Sequence, residues 1–137
     1  MLFFDRLPQW YPLRRQVIGA GIAAVLALGA PLAGYAKQQA ALAVIAQEQL
    51  PAEARDVLDR IHTGGPFVSE RDGVVFGNRE RHLPAYPRGY YREYTVRTPG
   101  VPDRGPRRIV CGGRTPRMPD ACYYTPDHYN RFLRISP

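Results

Sequence analysis

The chain has 137 residues and a formal net charge of +7, a length too short for more than one ordinary domain. The positive charge favours contact with phosphate-bearing polymers or anionic membrane surfaces, but it does not define a fold. Lys37 is the only lysine, so almost all of this charge is arginine, whose guanidinium group matches phosphate oxygens in two-pronged geometry. A compositional bias toward arginine accounts for the same pattern equally well.

The N-terminal segment, residues 1–36, is predicted to be a secretory signal peptide. Arg14 and Arg15 precede an uncharged apolar run at residues 17–32, and small residues follow as far as Ala36. The run is shorter than the ~20 apolar residues that a membrane-spanning helix usually needs, although an uncleaved anchor is an alternative. We therefore expect a secreted chain, extracellular or periplasmic, with no membrane attachment once the signal is removed.

Residues 37–49 are rich in alanine and glutamine and are predicted to form an N-terminal arm, helical or loose. The domain, residues 50–137, opens with LPAEARDVLDRIHTGGPF, which predicts a helix. Pro51 suits the first turn of this helix, and two consecutive glycines, Gly64 and Gly65, end it. Four apolar residues at helical spacing form its packing face: Ala54, Val57, Leu58 and Ile61.

After the helix the pattern changes to short strands. GVVFGN at residues 73–78, YYREYTVR at 90–97 and RRIVC at 107–111 are predicted strands, and a further strand-forming region begins at Tyr123. This order predicts an α+β fold, with one main N-terminal helix packed on an antiparallel β-sheet of three to five strands. The sheet face opposite the helix is expected to bind a ligand, and alternation along residues 90–97 places on it the side chains of Tyr91, Glu93, Thr95 and Arg97.

Glu93 is the only carboxylate of the strand at residues 90–97, in an arginine-rich hairpin. If Ile109 and Cys111 point toward the helix, Arg108 shares the face of Glu93, and we expect the two charged side chains to meet across the sheet. A carboxylate beside a guanidinium group is favoured in its ionised form and can accept a proton at neutral pH. An ordinary cross-strand ion pair, contributing well under ~1 kcal/mol, is the alternative.

Cys111 and Cys122 fit an oxidising compartment. They stand at the end of one strand-like run and the start of another, so a disulfide between them would tie the base of a hairpin and stabilise the fold by roughly 2–3 kcal/mol. Two buried free thiols are the alternative. The spacing matches no metal-binding pattern.

Five fragments between residues 50 and 135 resemble the bacterial secreted guanyl-specific ribonucleases, the barnase-type microbial ribonuclease family, especially its small actinomycete-type branch. They are LPAEARDVL, DGVVFGNRE, GYYREYTVRTPG, RGPRRIVC and DHY, in the family's order and at nearly its spacing. The resemblance implies the microbial ribonuclease fold and an endoribonuclease without metal or other cofactor. Such an enzyme cleaves single-stranded RNA 3′ of guanosine by transesterification to a 2′,3′-cyclic phosphate, which it then hydrolyses.

The resemblance assigns the catalytic residues by position. Glu93 corresponds to the general base, His128 to the general acid, and Arg104 and Arg108 to contacts with the phosphate and transition state, while Tyr129 resembles a further phosphate contact. These residue types suit the chemistry because RNA carries its own nucleophile, the 2′-hydroxyl, and needs only a base, an acid and cations. DNA lacks that hydroxyl and is not expected to be cleaved.

The FGNRE turn corresponds to the guanine pocket. By this resemblance Phe76 and Arg79 flank the base, the backbone of Asn78 and Arg79 meets its carbonyl edge, and Glu80 accepts hydrogen bonds from its two N–H groups. A solvated turn residue is the alternative for Glu80. Gly77 stands where relatives often carry a polar residue such as glutamine or glutamate, so we expect a looser turn and a weaker selectivity for guanine.

The expected partners are single-stranded RNA and, as a candidate, a barstar-like protein inhibitor, and we expect a monomer. The alternative from another functional class is a non-catalytic secreted module that binds RNA or anionic surfaces through arginines and tyrosines. Such a module does not require Glu93 and His128 together. The segment at residues 112–121 is longer than expected for the small branch and either extends the phosphate contacts or, as we favour, only lengthens a loop. His62 and His82 match no motif residue.

Overall fold

The computed structural model describes residues 41–137, so the predicted signal peptide and the first residues of the predicted arm lie outside the described part of the chain. Within residues 41–137, no helix is long and apolar enough to cross a membrane.

One helix lies against a six-stranded sheet. The helix, α1, spans Ala52–Thr63, and a short 3-10 turn, Gln47–Gln49, precedes it. The strands in chain order are β1 (Val44–Ala46), β2 (Val74–Val75), β3 (Tyr91–Thr95), β4 (Arg108–Gly112), β5 (Ala121–Thr125) and β6 (Leu133–Ser136). The sheet order is β1-β6-β5-β4-β3-β2, in which only the β1–β6 pair is parallel. The predicted α+β class is confirmed, with one strand more than the expected maximum.

Part of the predicted arm is a strand, so the expectation of a helical or loose segment is wrong for residues 44–46. In β1, Ile45 lies opposite Ile135 of β6 and packs against the core beneath α1. The β-branched residues Val44 and Ile45 favour a strand. The alanines and glutamines around them give no strand pattern, so the strand was not predicted from the sequence.

The helix follows its predicted pattern. Gly64 ends it in the left-handed conformation at φ +87°, where its N–H donates to the carbonyl of Arg60 at 2.8 Å. A residue without a Cβ adopts this conformation without strain. The predicted packing face is buried against β3, β4 and β5 in a core formed by Ala54, Val57, Leu58, Ile61, Tyr94, Val96, Ile109 and Tyr124.

The opposite face of the sheet is divided into two parts. One part carries a second apolar cluster of Leu83, Tyr91, Val110, Tyr123 and Phe132. The other part carries buried polar side chains, with exposed fractions of 8% or less: Glu93, Thr95, Arg108 and Thr125. Burying polar and charged groups is costly unless they are paired, so this polar half is the natural place to seek a functional site.

The predicted Cys111–Cys122 disulfide is confirmed. The two residues lie directly opposite each other in β4 and β5, with their Cα atoms 4.1 Å apart. The bridge lies on the helix side of the sheet, and residues 113–120, the part of the long 112–121 segment between the two strands, close the hairpin beyond it. There the carbonyl of Arg117 accepts a hydrogen bond from Nδ1 of His62 at 3.1 Å, which ties this segment to the end of α1.

Candidate active site

Both oxygens of the Glu93 carboxylate are held by donors. Arg104 donates from Nη2 to Oε1 at 3.2 Å, and the Tyr129 hydroxyl donates to Oε2 at 3.0 Å. Glu93 is 8% exposed, so it sits in the floor of the site beneath the groups that hold it. A buried carboxylate with two donors, one of them a cation, is held in a fixed orientation.

Arg104 is oriented by the loop between β3 and β4. Its Nε donates to the Thr95 hydroxyl at 2.7 Å, while the Thr95 backbone N–H donates to Oδ1 of Asp72 at 2.6 Å. The adjacent Gly105 has φ +60°, and a Cβ there would lie 2.7 Å from Oγ1 of Thr98. The loop therefore needs glycine at this point to bring Arg104 over Glu93.

Arg108 does not meet Glu93 as expected. The β3–β4 register places Val110 opposite Glu93 and Thr95 opposite Arg108, so the two charged residues share a face but are diagonal neighbours. The ion pair of Glu93 is formed by Arg104 instead, because its loop folds back over the strand end. The predicted orientation of Ile109 and Cys111 toward the helix is confirmed.

The guanidinium of Arg108 is fixed to the backbone of the same loop. From Nη1 it reaches the carbonyls of Arg104, Gly105 and Arg107 at 3.4, 2.8 and 2.7 Å, and the residue is 2% exposed. Its Nε is buried and has no hydrogen-bond partner among the described residues. An unpaired N–H of a buried cation favours binding of an anion such as a phosphate oxygen.

Tyr129 and His128 project from a tight turn between β5 and β6. Both have left-handed backbones, with φ of +69° and +55°. The turn is held by Asp127, whose Oδ1 accepts from the Thr125 hydroxyl and from the Arg131 N–H, each at 3.1 Å. Burial, and then the neighbouring Glu93 carboxylate, raise the pKa of Tyr129, so its hydroxyl remains a hydrogen-bond donor to Glu93.

His128 is exposed at the rim of the site. Its backbone N–H donates to the carbonyl of Pro106 at 2.9 Å, which connects its turn to the loop that carries Arg104. Its ring lies 5.0 Å from that of Tyr129, edge to face. The structure therefore brings the two predicted proton-transfer residues together through Tyr129, which contacts both.

A cleft of about 450 Å³ opens beside Glu93. The FGNRE turn forms one wall, and the ring of Phe76 stacks on that of Tyr129 with centroids 5.3 Å apart. The predicted site residues that line the cleft are Phe76, Asn78, Arg79, Glu80, Glu93 and Tyr129. Within residues 41–137, no group of three or more histidine, cysteine or acidic side chains is placed to hold a metal ion.

Asn78 shapes the wall of the cleft. Its backbone has φ +46°, its Oδ1 accepts from the Leu83 N–H at 3.1 Å, and its Nδ2 donates to the Leu83 carbonyl at 2.9 Å. The backbone N–H groups of Asn78, Arg79 and Glu80 have no acceptor in the part of the chain that the structure describes. Three successive free N–H groups can bind an oxygen of a ligand.

Several residues of the site were not predicted from the sequence. His82 lines the cleft and places Nε2 2.9 Å from Oε2 of Glu80, and Arg71 and Arg88 line it as well. Thr95, predicted only to share the face of Glu93, also orients Arg104. The only sequence signal for the two arginines was the general excess of positive charge, and His82 had none beyond its place two residues after Glu80.

Comparison with known proteins places this geometry in context. Residues 35–136 match the model of a family described as ribonuclease. The chain is 55% identical over 86 residues to guanyl-specific ribonuclease Sa3 of Kitasatospora aureofaciens. The aligned region covers 63% of this chain and 58% of that protein. It is 53% identical over 86 residues to guanyl-specific ribonuclease Sa of the same organism, covering 63% of this chain and 85% of the relative.

Solved structures agree with the sequence matches. The crystal structure of ribonuclease Sa2 with guanosine-2′-cyclophosphate superposes with a TM-score of 0.64 at 48% identity, covering 71% of this chain and 98% of that one. Ribonuclease Sa2 with 3′-GMP gives a TM-score of 0.62 at 46% identity, over 70% and 98% of the two chains.

Proposed function

The chain belongs to the ribonuclease family, and from this premise we propose that it is an endoribonuclease that cleaves single-stranded RNA on the 3′ side of guanosine. The observation that carries the proposal is the Glu93 carboxylate, held by Arg104 at 3.2 Å and by Tyr129 at 3.0 Å in the floor of the cleft. Its relatives Sa and Sa3 are named guanyl-specific ribonucleases. Structures of the similar ribonuclease Sa2 contain guanosine-2′-cyclophosphate and 3′-GMP.

In the first step Glu93 accepts the proton of the guanosine 2′-hydroxyl. The 2′-oxygen then attacks the adjacent phosphorus, and the bond from phosphorus to the 5′-oxygen of the next nucleoside breaks. His128 donates a proton to this leaving oxygen, so the products are a 2′,3′-cyclic phosphate and a free 5′-hydroxyl. In the second step the roles reverse, because His128 removes a proton from water and Glu93 protonates the departing 2′-oxygen.

The cationic groups stabilise the charge that develops on the phosphate oxygens. Arg104 lies against the general base, and the unpaired Nε of Arg108 is buried beside the same loop. Donors that are already oriented contribute most of this stabilisation, since no reorganisation is needed when charge appears. Tyr129 remains protonated and adds a hydroxyl next to Glu93.

Guanine is recognised by the turn that forms the cleft wall. Glu80 accepts hydrogen bonds from the two adjacent N–H donors of the guanine Watson–Crick edge, and the free N–H groups of Asn78 and Arg79 donate to its carbonyl oxygen. Phe76 and Arg79 flank the ring. Adenine carries no N–H at the ring position next to its exocyclic group, so it loses the paired contact with one carboxylate.

The proposed enzyme is exported from the cell. Residues 1–36 act as a signal peptide, the arm at 37–49 and the domain at 50–137 form a monomer, and a barstar-like inhibitor is a candidate partner for the cationic cleft. The Cys111–Cys122 bridge supports an oxidising compartment. Mass spectrometry of exported protein should find an N-terminus near residue 37, whereas an intact Met1 in the membrane fraction would indicate an anchor.

The decisive experiment is digestion of RNA oligonucleotides that contain a single guanosine, followed by analysis of the product ends. We expect 2′,3′-cyclic phosphate on the guanosine and no cleavage of the matching DNA. Glu93→Gln should lose activity, and Glu48→Gln, an equivalent change outside the cleft, should keep it. RNA that is bound but left intact by the wild-type protein would instead identify a non-catalytic binding module.

A further inference from the structure

Two stacked tyrosines stand beside the cleft on the loop before β3. The rings of Tyr86 and Tyr90 lie 3.8 Å apart at an angle of 12°, and Tyr91 meets Tyr86 edge to face at 6.1 Å. The Tyr90 hydroxyl donates to Oδ2 of Asp120 at 2.9 Å, which anchors the inner ring. Tyr86 is nonetheless 55% exposed. Since one face of Tyr86 is covered by Tyr90, the other face is open to solvent.

The position of this stack follows from its contacts with Tyr91. The Tyr91 ring lies 6.5 Å from Phe76, the aromatic wall of the guanine cleft, and 6.1 Å from Tyr86. Tyr91 begins β3, Glu93 is at its centre, and Thr95 at its end contacts Arg104. The tyrosine stack therefore lies at the guanine end of the strand, and the phosphate-binding arginines lie at the other end.

A cation connects the stack to the cleft. Arg88, two residues after Tyr86, is exposed and lines the cleft. It forms no ion pair with any of the carboxylates that the structure describes. An open aromatic face next to an unpaired guanidinium group is the combination by which proteins bind single-stranded nucleic acid, the ring stacking on a base and the cation meeting the backbone.

We propose that Tyr86 stacks on the base of the nucleotide immediately 5′ of the target guanosine and that Arg88 contacts the phosphate between these two nucleotides. This assignment rests on the proposed guanosine site. The 3′-phosphate of that guanosine lies at Glu93 and Arg104, so the preceding nucleotide leaves toward the other end of β3, where Tyr86 stands. Stacking tolerates every base, since each has a π face.

Three RNAs with one guanosine each test the proposal: GpU, the 5′-extended ApGpU and the 3′-extended GpUpA. We expect Tyr86→Ala to raise KM for ApGpU by about tenfold with kcat unchanged, in keeping with the usual effect of losing a base–aromatic stack. Cleavage of GpU and GpUpA should be unchanged. Tyr86→Phe keeps the ring and should behave as wild type, and Arg88→Ala should make ApGpU cleavage less dependent on salt.

The same RNAs with 2′-deoxyguanosine and a fluorescent 3′ label measure binding without cleavage. Fluorescence anisotropy should then show about tenfold weaker binding of the ApGpU analogue to Tyr86→Ala. Equal affinity of wild type and variant, a loss confined to the 3′-extended RNA, or an equal loss on all three RNAs would each overturn the proposal. If the wild-type protein cleaves none of the unmodified RNAs, the proposed function fails, while the binding comparison still decides the role of Tyr86.

Discussion

His82 holds Nε2 2.9 Å from Oε2 of Glu80 at the mouth of the cleft, in a pair whose Glu80 side chain is 78% exposed. Exposed pairs contribute only ~0.2–1 kcal/mol to stability, so this contact adds little to folding. It fixes the direction of a carboxylate that would otherwise rotate freely in solvent. Oε1 has no partner among the described residues, and Oε2 keeps a second lone pair, so both oxygens can still accept hydrogen bonds from a ligand.

We predict that His82→Ala raises KM for guanosine substrates by about two- to fivefold, the equivalent of losing one exposed pair, and leaves kcat unchanged. The physical reason is the cost of ordering Glu80 when guanine binds. Steady-state kinetics on GpU measures this change, and His62→Ala, whose ring contacts the 112–121 segment instead, is the control. A fall in kcat without a change in KM would show that His82 does not act through Glu80.

Glu80→Gln tests the reading of guanine itself. Loss of a charge-assisted hydrogen bond should cost ~1–3 kcal/mol in kcat/KM at guanosine sites. Cleavage after the other bases should change little, since they do not present paired N–H donors to one carboxylate. Competition between four oligonucleotides that differ only at the target base provides the measurement. An equal loss for all four would make Glu80 a structural residue.

The sequence predicted the local parts of this site better than its assembly. Alternation along β3 and β4 correctly placed Glu93 and Arg108 on one face, because side-chain direction in a strand has a period of two. It could not show that Arg104 rather than Arg108 pairs with Glu93, since that depends on how the loop folds back through Gly105. Pairing of distant segments is likewise absent from local patterns, which is why β1 was expected to be an arm.

The second apolar cluster was also missed. Tyr91 and Val110 share the face of Glu93. The alternation of side chains along a strand shows which face of the sheet a residue lies on, but not which residues cover that face. Here the covering residues Leu83 and Phe132 lie outside the strands and the helix. The disulfide was predicted correctly, because two cysteines at facing ends of adjacent strand-like runs constrain the hairpin register directly.

Gly105→Ala should lower both stability and activity. The left-handed backbone at φ +60° costs an alanine ~1–2 kcal/mol, and its Cβ would lie 2.7 Å from Oγ1 of Thr98, so the loop must move. Movement of this loop displaces Arg104 from Glu93. Gly100→Ala is a matched control, since φ is +77° in the same loop but no atom lies within 4 Å of the added Cβ. Thermal unfolding should show the cost of the left-handed backbone in both variants and a further loss of stability in Gly105→Ala, and kcat/KM should fall only in Gly105→Ala.

High pH should destabilise the fold through its tyrosines. Burial is the first cause that raises the pKa above the ordinary value of 10.0 for Tyr91, Tyr94, Tyr123, Tyr124 and Tyr129. Above this pH the unfolded chain releases phenolic protons that the folded chain retains, so the unfolded state binds fewer protons and stability falls as pH rises. We expect Tm to decline from about pH 10 upward, and the tyrosinate absorbance to rise as the chain unfolds. A Tm that stays constant through this range would contradict the prediction.

The last prediction separates the roles of Glu93 and His128. The reaction needs Glu93 ionised and His128 protonated, so kcat/KM should follow a bell-shaped pH profile whose rising limb belongs to Glu93 and whose falling limb belongs to His128. Glu93→Gln keeps the hydrogen bonds of the side chain to Arg104 and Tyr129 in part but removes the proton acceptor, and should cost ~10²–10⁴-fold at every leaving group.

His128→Gln should cost a similar factor when the leaving group is a nucleoside 5′-oxygen, because this poor leaving group needs a proton. With an activated aryl leaving group the penalty of His128→Gln should shrink, while that of Glu93→Gln should persist. If Glu93→Gln retained the full rate and lost only thermal stability, the carboxylate would be a counter-ion for Arg104 and the base would have to be sought elsewhere in the cleft.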